Sequence, residues 1–320
     1  MNQRLNSITA RIDRITQLTP EYRSPTPPVP KSVKIELTAR CDFQCFFCAS
    51  AMRLRKKSDM SRDFYTRIVR EMRGLGVEEL GVFYLGESFI CDWLPEAIRY
   101  AKHECGYPYV FLTTNGRLAT PDRVRECMLA GLDSLKFSFN FSGPQQFQDV
   151  TRVKADEYYT VINNLKDACW IRDYVEVTTG HRCGLYASSI LYDGEQRDRM
   201  KEAVAEILPY VDEHYWLPLY GYSGLSACAE SARPAAGTPD RDGVLSKPLP
   251  CWSLFTQGHI TYDGRLSACC FDHASRFDMG DLNEMSFLNA WHGRGFQALR
   301  TAHLKGEVTG TACEKCIAYD

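Results

Sequence analysis

Val33-Lys34-Ile35-Glu36-Leu37, followed after Thr38-Ala39-Arg40 by Cys41-Asp42-Phe43-Gln44-Cys45-Phe46-Phe47-Cys48, sets the architecture of this 320-residue chain. The first segment alternates apolar and charged residues with the period of a β-strand. The second opens off the strand's carboxyl end and carries three cysteines in a C-x3-C-x2-C spacing. Three thiolates so close together can hold three corners of a [4Fe–4S] cube, whereas clusters that only carry electrons use four cysteines. The fourth iron is then open to a ligand that is not protein. A zinc site asks for four nitrogen or sulfur ligands, and no fourth partner follows Cys48 closely. A disulfide framework fits poorly in a long chain without a secretory signal.

Downstream the text alternates strands and helices. Strand-like runs cover 33–38, 79–84, 108–113, 134–139, about 184–191 and, more faintly, 211–217. Helical stretches lie between them at 61–74, 94–105, 121–130, 156–171 and 196–208. Such alternation argues for a parallel α/β sheet with right-handed crossovers, whose ligands bind at the carboxyl ends of the strands. The cysteine run sits at such an end. Upstream, Leu5, Ile8, Ile12, Ile15 and Leu18 recur at helical spacing, which predicts an amphipathic helix within 1–22 packed on the edge of the domain. A Pro-rich connector follows.

Composition narrows the partners. With 38 Lys and Arg against 40 Asp and Glu, the net charge of −2 gives no electrostatic reason to expect nucleic acid or an anionic membrane. No apolar run approaches the roughly 20 residues of a membrane span. Fourteen cysteines without a signal segment point to reduced thiols, metal clusters and a cytoplasmic setting.

The run Cys41 to Cys48, with Phe47 in the aromatic place, resembles the C-x3-C-x-aromatic-C signature of the radical S-adenosylmethionine (radical SAM) superfamily. The resemblance implies an open (β/α)6 partial barrel and a cluster held by Cys41, Cys45 and Cys48. It also implies SAM chelated to the open iron and cleaved to a 5′-deoxyadenosyl radical that takes a substrate hydrogen atom. Leu85-Gly86-Glu87, after the second strand, resembles the family's Gly-Gly-Glu motif around the SAM ammonium, with Leu85 replacing the first glycine. Thr114-Asn115-Gly116 matches a family turn and makes Asn115 a SAM-contact candidate. Lys136, Ser138 and Asn140 share one face of the fourth strand. Ser138, Asn140 and, in the fifth strand, Ser188 are candidates to hydrogen-bond SAM.

A second cysteine set, Cys251, Cys269, Cys313 and Cys316, resembles the SPASM/twitch extensions of that superfamily. These comprise a β-hairpin, here turning at Tyr262-Asp263-Gly264, then a helix, here expected over 283–299, and a terminal C-x2-C. Four cysteines suit one auxiliary [4Fe–4S] cluster, or a zinc ribbon as the sober alternative. Cys270 either replaces Cys269 as ligand or stands beside the cluster as a thiol. The implied division is 1–30 helix and connector, 31–220 radical SAM core, 221–247 linker or lid, and 248–320 auxiliary-cluster domain. It makes the fold class α/β, with a small C-terminal hairpin and helix region.

Two outcomes can follow hydrogen abstraction. Loss of an electron and a proton gives a dehydrogenated product; return of a hydrogen atom from a thiol gives an epimer. Cys183, Cys228 and Cys270 are the candidate donors on the expected active-site side, while Cys105, Cys127 and Cys169 read as helix packing. The expected substrate is a small, sugar-like molecule, a carbohydrate or aminocyclitol-like natural-product intermediate. A ribosomally made peptide is the alternative, and a non-catalytic iron–sulfur or zinc protein the remote one. Electrons would come from a flavodoxin- or ferredoxin-type donor.

Overall fold

A computed structural model describes residues 7–48, 56–192, 194–217, 249–272, 277, 279–311 and 313–314. Six strands, β1 (Ser32–Ile35), β2 (Glu79–Gly81), β3 (Tyr109–Thr114), β4 (Ser134–Ser138), β5 (Gly184–Ile190) and β6 (Glu213–Leu217), pair in parallel with their sequence neighbours. Beyond β1 the sheet continues through β7 (Gln257–Ile260), parallel to β1, and β8 (Leu266–Ser267), antiparallel to β7. The order is β6-β5-β4-β3-β2-β1-β7-β8, so β1 and β6 do not close on each other. The first six strands form an open (β/α)6 partial barrel.

The crossover helices follow from apolar spacing. In α2 (Arg62–Gly74), Tyr65, Ile68, Val69 and Met72 form one buried stripe, and the Ser61 hydroxyl accepts from the backbone N–H of Phe64 at its N-cap. That stripe shares a core with Val33, Ile35 and Leu37, the outward-facing residues of the first strand and its extension. Helix α6 (Glu157–Thr179) runs well past the expected end at 171 and stops where Gly180 takes a left-handed conformation (φ 76°). Its last turns are β-branched, so propensity alone understates its length. Helix α5 (Pro144–Thr151) falls in a stretch with no expected element.

The N-terminal helix α1 (Ile8–Thr16) does not sit on the domain edge. It closes the amino end of the barrel: Ile8 packs on Tyr186 and Tyr215, and the buried Arg11 pairs with Glu79. The Arg11 guanidinium lies 4.6 Å from the Tyr109 ring centre and 4.4 Å from that of Phe111.

The C-terminal region is not a detached unit. Through β7 it shares the sheet, and Phe287, Trp291 and Phe296 belong to the same core as Val33 and Ile68. The single helix expected over 283–299 is two, α9 (Phe287–Trp291) and α10 (Arg294–Lys305). They break at Gly293, where a Cβ would stand 2.9 Å from the Ala290 carbonyl oxygen. The turn at Tyr262-Asp263-Gly264 forms as expected, with Gly264 at φ 83°.

Candidate active site

The cysteine loop leaves β1 at the carboxyl end of the barrel and is tied on every side. Arg40 holds Asp59 through two hydrogen bonds of 2.8 and 2.6 Å. The Asp42 carboxylate accepts from Asn115 Nδ2 at 2.7 Å and from Arg117 at 3.2 Å, and Arg117 also reaches Glu157. The backbone N–H groups of Gln44 and Phe46 donate to the carbonyls of Thr151 and Val150, two of the orphan acceptors at the end of α5. Phe43 meets Phe147 of α5 edge-on, centres 5.4 Å apart. Phe47 is buried and packs edge-on against Phe46.

Gly86 lies against this loop, where a Cβ would fall 2.1 Å from the carbonyl oxygen of Thr38 and 2.7 Å from that of Arg40. No residue with a side chain fits there. The next residue, Glu87, donates its N–H to the Arg40 carbonyl, and its buried carboxylate accepts from Phe89 N, Thr114 Oγ1 and Asn115 N. Burial pushes the Glu87 carboxyl up to about 7, against the lowering effect of those donors, with Asp42 adding to the rise. Glu87 is thus already a clamp between the ends of β2 and β3, with most of its acceptor capacity in use. Asn115 Nδ2 also approaches Cys41 Sγ at 4.0 Å.

The three thiols suit an iron–sulfur cluster by their spacing and by their place at the carboxyl end of β1. Cys41 is pushed up to about 12 by burial, with Glu87 contributing, and Cys45 is raised well above its ordinary value by burial and by Cys48 and Cys41. Thiolates there ask for cations, which iron supplies. Among the described residues no three His, Cys, Asp or Glu converge on one metal ion. Ligands on separate corners of a cube stand farther apart than ligands of a single ion.

In the C-terminal region the half-buried Cys269 is raised well above its ordinary value, chiefly by desolvation, with Cys270, Cys251 and Cys313 all close enough to add to it. Three members of the second set therefore share one neighbourhood; Cys316 lies outside the described residues, as does Cys228. Cys251 donates its backbone N–H to His303 Nδ1, and the Tyr84 hydroxyl donates to the Cys269 carbonyl at 2.9 Å, linking this region to the end of β2. Cys270 lies within electrostatic range of Lys34, whose charge it favours.

The other candidates separate. Ser138 and Ser188 are register partners on β4 and β5, and the buried Ser188 hydroxyl accepts from Lys136 Nζ at 3.2 Å. Asn140 is turned to β5: its side-chain oxygen accepts from Ile190 N and its carbonyl from the Tyr192 hydroxyl. Cys183 corrects the expectation of a donor near the active site. It precedes β5 at the amino end, fully buried among Asp133, Cys127 and Asp212, a barrel length from the cysteine loop. Lys34 was legible only as a charged residue at an inward position of an apolar strand. Strand parity cannot show that it shares a cavity with Lys136 and Gln257.

Residues 35–181 match the radical SAM superfamily, and residues 251–317 match SPASM, an iron–sulfur cluster-binding domain. Among curated proteins, GTP 3′,8-cyclase of Chlorobaculum tepidum is 28% identical, over 79% of this chain and 83% of its own. Among solved structures, SuiB of Streptococcus suis bound to its precursor peptide SuiA superposes with a TM-score of 0.64 at 15% identity, covering 85% of this chain and 67% of SuiB. BtrN in complex with AdoMet and 2-DOIA gives 0.58 at 14% identity, covering 86% and 87%. At these identities the structures speak for the fold. With the cysteine loop at the carboxyl end of an open (β/α)6 barrel and a second cysteine group beside it, this chain belongs to the radical SAM superfamily and carries a C-terminal SPASM-type cluster domain.

Proposed function

We propose that the chain is an oxidoreductase or epimerase that acts at a C–H bond of a small, polar, carbohydrate-like molecule. The observation that carries this reading is the barrel interior. Lys34, Lys136 and Gln257 line it below the cysteine loop beside Phe83, Phe111, Tyr215 and Trp252, Ser138 follows Lys136 on the same face of β4, and α1 floors it. Such a lining sets hydrogen-bonding groups beside aromatic faces, a combination that suits a polyhydroxylated ring.

Cys41, Cys45 and Cys48 would hold one [4Fe–4S] cluster, and Cys251, Cys269, Cys313 and Cys316 a second. When bound, the first supplies with SAM the 5′-deoxyadenosyl radical that removes a hydrogen atom, and the second supplies an electron relay. Gly86, Glu87, Asn115 and Ser138 mark the strand ends where SAM would lie. Glu87 fixes the β2 and β3 loops against each other, and Asn115 orients Cys41. Helix α1 keeps solvent from the radical by closing the amino end, so substrate enters from the carboxyl side. Cys270, beside the second cysteine set and within electrostatic range of Lys34, is the hydrogen-atom donor of the epimerase version. Without such a donor the product is dehydrogenated.

A ribosomally made peptide is the second reading, favoured by the likeness to SuiB, which was solved with its precursor peptide. Offering the reconstituted protein a panel of sugars and aminocyclitols, and separately a panel of peptides, separates the two. Faster 5′-deoxyadenosine formation with the first panel supports the small-molecule reading, and with the second alone contradicts it. In deuterium oxide the epimerase version places deuterium on the attacked carbon, and Cys270→Ser abolishes that label.

A further inference from the structure

Two lysines from opposite sides of the barrel face one cavity of about 160 Å³. Lys34 comes from β1 and Lys136 from β4, and Arg11 of α1 contributes to the floor. Lys34 Nζ donates to Gln257 Oε1 at 3.3 Å and lies 5.7 Å from the Phe83 ring centre. Lys136 Nζ donates to Ser188 Oγ and lies 5.6 Å from the Tyr215 ring centre. Each ammonium has three protons to donate and, among the described residues, one hydrogen-bond acceptor. Among the described residues neither pairs with a carboxylate. Glu79 is engaged by Arg11, and Glu36, next on the inner face of the first strand, accepts from the backbone N–H of Tyr262.

Buried cations are ordinarily paired, because an uncompensated charge away from water is costly. In this barrel Glu79 is taken by Arg11, Glu213 of β6 by the Thr9 hydroxyl and Glu36 by Tyr262, and none of the three forms an ion pair with Lys34 or Lys136 among the described residues. Lys34 is pushed down to about 8, chiefly by burial; Cys270 opposes that shift, and Lys136 and Arg11 add to it. A stretch of fold that keeps two under-partnered ammoniums in one cavity is built for a counter-charge that arrives from outside.

We propose that Lys34 and Lys136 bind an anionic group of the substrate, a carboxylate or a phosphate, at the floor of the barrel. The inference rests on the reading of the barrel as the substrate site and narrows it. Two ammoniums repel a cationic aminocyclitol and favour an acidic or phosphorylated sugar. Anchoring that group below would present the rest of the molecule upward to the strand ends.

The test follows thermal melting of the reconstituted protein with inorganic phosphate or acetate, against sodium chloride at matched ionic strength. At least one anion raises the melting temperature. In Lys34→Met and Lys136→Met its apparent affinity falls tenfold or more, whereas Lys136→Arg retains it. A response to phosphate alone indicates a phosphorylated substrate; a response to acetate indicates a carboxylate. No stabilisation beyond chloride, or stabilisation undiminished in both Met variants, overturns the proposal. Formation of 5′-deoxyadenosine by the wild-type protein is scored separately. Its absence would count against the enzymatic reading without bearing on where the anion binds.

Discussion

Gly86 has no room for a side chain, because the backbone of Thr38 and Arg40 passes directly over its Cα. Gly86→Ala therefore moves backbone rather than a flexible side chain, and should cost at least about 3 kcal/mol of stability. Urea unfolding of the purified variant would check it. A variant as stable as wild type would show that the loop can retreat. The sequence marks this glycine by its place after the second strand but is silent on the cause, since the crowding comes from residues more than forty positions earlier. The same limit applies to Glu87 and Asn115. Both are legible as residues at strand ends, but only the fold shows that Glu87 clamps Asn115 and that Asn115 reaches Cys41. Cys183 is the residue that strand counting misplaces. It lies one residue before β5, where side chains belong to the barrel's amino end.

At the scale of elements, α1 turns an amphipathic pattern into the floor of the barrel. Arg11→Ala would leave Glu79 buried beside its lost partner, a carboxylate whose pKa burial already raises against the opposing pull of Arg11. The expected loss is on the order of 3–5 kcal/mol; Arg11→Ala combined with Glu79→Gln should recover part of it, as a double-mutant cycle by urea unfolding would show. In β6, His214 is half-buried against Ser189 and Trp216, and burial pushes it down to about 4. The unfolded chain takes up a proton as pH falls through 6.5, while the folded chain does not until about 4. The stability that neutral His214 contributes is thus fully present above 6.5 and is lost as pH falls through that window, by up to about 3 kcal/mol. His214→Gln should flatten the stability profile between these pH values, and an unchanged slope would contradict the burial argument. Helix α5 explains why the site is only partly legible from the chain. It is only eight residues long and buries just Phe147, Val150 and Thr151, too short a run for their helical spacing to stand out, but its terminal carbonyls and Phe147 hold the cysteine loop in place.

Across the whole molecule, the alternation of strands and helices and the two cysteine sets are enough to anticipate an open parallel barrel with a cluster-binding C-terminal region. They cannot anticipate that the two regions share one sheet, because the β1–β7 pairing joins residues over two hundred positions apart. Arg300 shows how tightly the ends are joined. Fully buried, it donates to the carbonyls of Leu254, Pro25 and Trp291 and lies 4.1 Å from the Trp291 ring centre. Arg300→Met keeps the bulk but strips three carbonyls of their donor, and should cost about 2–4 kcal/mol. Because the Pro-rich connector and the C-terminal helices meet there, protease cleavage near the connector should rise with it; unchanged cleavage would place the joint elsewhere.

On the proposed reading, Cys41, Cys45 and Cys48 support radical initiation. The most direct measurement is the yield of 5′-deoxyadenosine, by mass spectrometry, from the anaerobically reconstituted and chemically reduced protein given SAM, beside Cys45→Ala prepared in the same way. The wild-type protein should give 5′-deoxyadenosine and the variant none above background. Equal yields from the two proteins would contradict it.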